Sequence, residues 1–216
     1  MADAPVIAVR GEANREVDPE IATVSATVSA RSADRQRALE LLAERNDALR
    51  ELVDSFGPAI EQRESVGIWV RPETSGKSSS ERIKGYIGYA TTKITVRDFA
   101  ILGDLIMALS SQEMTAVGGL SWELRPDSPA YREARHAALR DAVARARDYA
   151  QALGVELVAL LELADAGLSS SSEGVGLAFA AQRGGGPELN LDPQRQRVYA
   201  SVEARFTITA PALGSL

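Results

Sequence analysis

His136 is the only histidine in 216 residues, and the chain has no cysteine. Those two facts decide much of the chemistry. Without thiols there is no disulfide, no thiolate nucleophile and no Cys-based zinc or iron–sulfur site. A catalytic His136 would need a nucleophile or a carboxylate beside it. It falls in a helical stretch, about 60° from the apolar stripe centre at roughly 100° per residue. The expectation is a boundary histidine with a satisfied hydrogen bond. Gly76-Lys77-Ser78 resembles the end of a phosphate-binding loop, but the glycine the motif needs five residues earlier is Arg71. Gly184-Gly185-Gly186, following Gly174 and Gly176, would cradle phosphate only by opening a helix. Pro187 and an extended segment follow instead, so a flexible loop is expected.

Metal ligation would fall to carboxylates and the one imidazole. No Asp-x-Asp calcium loop is present. Asp18 with Glu20, Glu61 with Glu64, and Glu156 with Glu162 read as solvated acids, and no pair is singled out for acid–base work. No catalytic, cofactor-binding or metal-binding residue is assigned, and no cofactor is expected. A net charge of −6 and a pI near 5.0 oppose nucleic acid as a partner. The arginines are interleaved with acids: Arg31, Arg35, Arg37, Arg45 and Arg50 with Asp34, Glu40, Glu44 and Asp47. Arg135, Arg140, Arg145 and Arg147 sit among Asp141 and Asp148 in the same way, as solvated helix faces do. Arg132 and Arg135 fall near the apolar stripe by helical angle. The favoured expectation is an arginine near the helix end that reaches water; the sharper alternative is an ion pair of Arg135 with an acid such as Glu20, for which Arg135→Ala would cost several degrees of melting temperature.

These residues must be held by elements that the hydrophobic periods define. Ile21–Ala30 and Val198–Thr209 alternate with period two, as half-buried strands do. Short strands are expected at Val6–Arg10, Glu64–Val70, Val117–Leu124 and Val155–Leu163, with a longer one at Ile83–Val96, bulged at Gly85 or Gly88. Ser32 offers an N-cap, with Asp34 in the first turn, for a helix running to Phe56 and stopped by Gly57-Pro58. Asp98 caps a short helix carrying Leu102, Leu105, Ile106 and Leu109. A second long helix covers Ser128–Leu153, with a stripe of Leu139, Ala142, Val143, Ala146, Tyr149, Ala150 and Leu153, and ends at Gly154. The order β-β-α-β-β-α-β-α-β-β predicts an α+β fold, an antiparallel sheet packed with two long helices and one shorter one. Strand-helix-strand occurs around each long helix, which hints at duplicated β-α-β halves.

The length suits a single domain over residues 1–216, with an irregular Ser- and Gly-rich stretch at Gly167–Arg195. The start, MADAPVIAVRGE, has an early Asp3 and breaks at Arg10, so it lacks a secretory signal pattern. No apolar run of about 18 residues appears, so no membrane insertion is expected. The expected location is the cytoplasm as given, or the periplasm or outside if a leader has been removed.

Four stretches, in order, resemble the SIMPL-domain family, a bacterial family of largely unknown function: VIAVRGEANREVDPEIATVSATV, GYIGYATTKITVRDFAILGDLI, YREARHAALRDAVARARDYAQALGV and VYASVEARFTI. The family's usual Pro-Asp is here Pro19-Glu20, and Gly103 matches its helix glycine. The likeness runs from Val6 to Ile208 and departs most at Gly167–Arg195. It implies long helices on antiparallel sheet and no established catalytic residues. It also implies export in many relatives, ring assembly in some, and proposed links to oxidative stress and kinase signalling. The expected function is a non-enzymatic, self-associating protein, a homo-oligomer pairing through Ile21–Ala30 or Val198–Thr209 if they lie at edges. The alternative is a small-molecule or peptide-binding module with residues 167–195 as a lid and a pocket lined by Trp69 or Trp122.

Overall fold

The computed structural model describes residues 4–75, 82–171 and 191–211. In chain order these form β1 (Val6–Val17), β2 (Ile21–Ser32), α1 (Arg35–Ser55), β3 (Ile60–Ser75), β4 (Arg82–Val96), α2 (Leu102–Ser111), β5 (Thr115–Glu123), α3 (Pro129–Ala152), β6 (Leu157–Ser171) and β7 (Gln196–Ile208). The element order matches the sequence reading, and the fold is α+β. Two antiparallel sheets are present, ordered β1-β7-β6 and β3-β4-β2-β5. They belong to two compact units: β1, α3, β6 and β7 in one, β2 to β5 with α1 and α2 in the other. The two strand-helix-strand segments are therefore not equivalent. β2 and β3 flank α1 within one sheet, whereas β5 and β6 flank α3 from different sheets.

In the four-stranded unit, β2 lies between β4 and β5, so its backbone is paired on both sides. Its even-numbered residues Ala22, Val24, Ala26, Val28 and Ala30 are buried beneath the helices. The odd-numbered face is polar, and Thr27 and Thr91 hydroxyls meet across it at 2.9 Å. α1 is capped by Asp34 itself, whose carboxylate accepts the Arg37 N–H at 2.8 Å; Ser32, the expected cap, ends β2. Arg45 occupies the α1 stripe between Leu42 and Leu49, and its guanidinium donates to the Ser29 carbonyl and Glu113, both at 2.7 Å. Asp98 caps a 3-10 turn, Phe99–Ile101, that leads into α2. The register between β3 and β4 shifts beside Gly85, where Glu73 pairs with Gly85 but Thr74 with Ile83. Gly88 instead leaves room: a Cβ there would meet Leu42 and Val70 at 3.0 Å.

In the three-stranded unit, α3 starts at Ser128, whose hydroxyl accepts the Ala130 N–H, and ends before Gly154 in the left-handed region at φ +64. Its buried residues are Ala130, Ala134, Ala138, Ala142, Ala146 and Ala150, one every fourth position. The expected stripe is corrected here: Tyr149 is exposed, and Leu139, Val143 and Leu153 are only half-buried. Four residues turn a helix by about 400°, so this ladder winds slowly round α3. Alanine lets the helix come very close to β1. A Cβ on Gly11 would sit 2.1 Å from the Ala138 carbonyl oxygen and 2.4 Å from the Ala142 nitrogen. Beside this contact, the Glu12 N–H donates to Asp141 at 3.0 Å. β1 runs on to Val17, past the expected end at Arg10, because the register with β7 holds unbroken from Val6 to Val17.

Candidate functional site

The residues singled out for chemistry do not converge. His136 is exposed on α3. Arg71 is a β3 residue opposite Ile87, while Gly76-Lys77-Ser78 and Gly174–Pro187 lie outside the described residues. The acids serve separate surface pairs. Asp18 meets Arg195 at 3.2 Å, Glu61 meets Arg97 at 3.7 Å, and Glu162 meets Arg205 at 3.5 Å. Glu64 stands opposite Lys93 in the β3–β4 ladder. Among the described residues no group of three potential ligands could hold a metal ion. Arg132 and Arg135 are both exposed, as the favoured reading of arginines reaching water has it, and neither needs the alternative ion pair. The stripe they were measured against is not the one that packs.

The tryptophans occupy different environments. Trp122 is buried edge-on against Phe99, with centroids 4.9 Å apart. Trp69 is 50% exposed and leans on Tyr89 at 5.3 Å. Gly167–Ser171, expected to begin an irregular stretch, continue β6 as strand. Residues 172–190 of that stretch lie outside the described residues.

What the described residues do present is a strand edge with no partner strand among them. The two segments expected to pair between copies are both interior: β2 lies between β4 and β5, and β7 between β1 and β6. Their backbone groups are already satisfied, so neither can recruit another chain. The free edges are β1, β6, β3 and β5. β1 is guarded by Arg10, Glu12, Arg15 and Glu16, and its Glu12 N–H is taken by Asp141. β3 carries five charges and Pro72, devices that blunt an edge. β5 is short and holds Gly118 and Gly119.

β6 is different. It spans 15 residues with only Glu162 and Asp165 charged and no lysine or proline. From Val158 to Ser169 every residue is exposed except half-buried Ala164. Val158, Leu160, Leu161 and Leu163 are 64%, 50%, 58% and 47% exposed. Irregularities near Val158, Leu161 and Ala166 kink the strand without covering it. A continuous apolar run normally marks a strand buried on both faces. β6 has that composition and lacks that environment. The signal was present in LVALLELADAG, but composition cannot report which side of a strand lacks a neighbour.

The opposite, solvated face of this sheet is built from charge pairs in direct register. Arg10 meets Glu203 at 2.6 Å and Glu16 meets Arg197 at 3.1 Å. The Glu203 hydrogen bond, and then its charge, hold the Arg10 guanidinium above its ordinary pKa. All these groups are exposed, so each pair orients the face more than it stabilises it.

The described residues thus form an α+β fold of two antiparallel sheets, with one apolar strand edge that has no partner strand among them. The chain belongs to the SIMPL family, described as a protein of unknown function (DUF541), whose profile matches residues 7–206. It is also similar to the 26 kDa periplasmic immunogenic proteins of Brucella melitensis biotype 1 and of Brucella abortus strain S19. Each is 26% identical over 167 residues, covering 74% of this chain and 66% of the relative. The match thus spans just under two thirds of those relatives' length. No described helix is long and apolar enough to cross a membrane.

Proposed function

We propose that this SIMPL protein is a non-enzymatic, self-associating chain whose β6 edge pairs with a second copy. The observation that carries the reading is β6: long, unpaired along one side, and exposed at Val158, Leu160, Leu161 and Leu163. Burying a leucine-sized side chain is worth about 1.5–3 kcal/mol, so four half-exposed ones offer roughly 5 kcal/mol. New ladder hydrogen bonds add register and specificity. Together these terms oppose the lost freedom of association, which costs several kcal/mol. The acids engaged in surface ion pairs support a structural role over a chemical one. Similarity to periplasmic proteins supports a periplasmic location over a cytoplasmic one. A stress-related role rests on the family analogy.

Light scattering at tens of micromolar is the test. A mass well above the 23.0 kDa of one chain is expected. Leu161→Glu places a charge in the proposed contact at an exposed position, so a folded monomer is the expected product. A wild-type protein that runs as a clean monomer contradicts the reading.

A further inference from the structure

If the edge of β6 pairs with a second copy, the strands that copy can offer are known. It brings four described edges: β1, β3, β5 and β6 itself. The Glu12 N–H of β1 is held by Asp141 at 3.0 Å, which closes that edge midway. β5 is short, Thr115–Glu123, with Gly118 and Gly119 at its middle. β3 shows Val66, Ile68 and Trp69 at 64%, 63% and 50% exposure. Glu64 and Arg71 bound that stretch, and Pro72 has no N–H to donate. The residues between them are too few to cover Leu157–Leu168 without setting charged side chains against leucines. Among the described edges, β6 alone joins length, apolar composition and freedom from proline.

An edge that pairs with itself does so about a two-fold axis, which makes the contact isologous and closed. With the axis perpendicular to the sheet, the two copies of β6 run antiparallel, as every described strand pair does. The two acids of β6 limit where the axis can fall. Like charges directly opposite one another destabilise an antiparallel pair. An axis at Glu162 or at Asp165 sets that acid against its own copy. An axis midway between them sets Glu162 against Asp165. An axis within Val158–Leu161 avoids all three clashes and centres the contact on strongly exposed apolar residues.

We infer that the partner of β6 is β6 of the second copy, antiparallel about a two-fold axis within Val158–Leu161, so that two three-stranded sheets join edge to edge. This rests on the reading that β6 associates, and it adds which strand β6 meets and where.

The absence of cysteine from the chain makes the test direct. The variants are Val158→Cys, Leu160→Cys, Leu161→Cys, Leu163→Cys and Leu168→Cys, with Tyr149→Cys on α3 as control; all six positions are exposed. Each is equilibrated in a glutathione redox buffer at tens of micromolar, after a circular-dichroism melt has confirmed its fold. Among strand pairings, only an isologous one brings a residue against its own copy. Each step from the axis parts the two copies of a residue by a further ~6.6 Å, twice the strand rise. A disulfide needs Cα atoms within about 7 Å. Disulfide-linked dimer should therefore peak within residues 158–161, at least about tenfold above Leu168→Cys and Tyr149→Cys. Wild-type protein that associates while its variants show no peak has β6 meeting another strand, which overturns the inference and leaves the association standing. Equal linkage at every β6 position, the mark of parallel strands, or a peak at Leu163 or Leu168 overturns it in the same way. A wild-type protein that light scattering finds monomeric at this concentration overturns both.

Discussion

Gly11 is where helix and sheet come closest, and the geometry leaves no room for a methyl group. With the Ala138 oxygen 2.1 Å from the Cβ position, Gly11→Ala must push α3 off β1. Overpacking of this kind costs about 3 kcal/mol. A drop in melting temperature on the order of 10 °C is expected for that unit. Gly67→Ala is the matched control, since a Cβ there meets nothing within 4 Å. It should stay within about 0.5 kcal/mol of wild type in urea titration. Arg135 belongs with the control. Its exposure means that Arg135→Ala should leave the melting temperature within about a degree, as the favoured reading of an arginine reaching water implies. The glycine's role was hidden in the sequence. Gly11 reads as a strand end until its neighbour is known to be a helix backbone, and that neighbour is about 130 residues away.

At the scale of elements, what each residue says about itself was legible. The cap at Asp98, the helix start at Ser128, the stops at Gly57 and Gly154, and the alternation in β2 and β7 all appear where the sequence placed them. What depends on distant neighbours was not. Alternation says that a strand has two unlike faces, but nothing about which strands flank it, and the condition for pairing between copies through β2 or β7, that they lie at edges, is not met. The buried face of α3 differs from the expected stripe for a related reason. Large side chains such as Tyr149 dominate a hydrophobic count, while the contact is made by six alanines that allow close approach. Ala138→Leu should therefore destabilise by roughly 1–3 kcal/mol in denaturant titration, although leucine is the more apolar residue. Ala138 sits at 0% exposure beneath β1, with no space to accept it.

At the scale of the whole molecule, the fold class and the family were legible, because composition, element order and four motifs pointed the same way. The candidate site was not. The chain's chemistry-bearing residues are spread over separate surface pairs, and the feature that stands out is a missing neighbour, which sequence does not record. Two units, each with its own core, present a charged sheet face on one side of β1-β7-β6 and an uncovered apolar strand at its edge. The central claim is that a second copy completes that edge. Hydrogen–deuterium exchange of the β6 amides, followed against protein concentration, tests it most directly. The amides of residues 158–168 that point away from β7 should be protected at tens of micromolar and exchange rapidly well below one micromolar, while the β6 amides bonded to β7, β7 itself and α3 stay protected throughout. Amides of β6 that exchange equally fast at every concentration would contradict it.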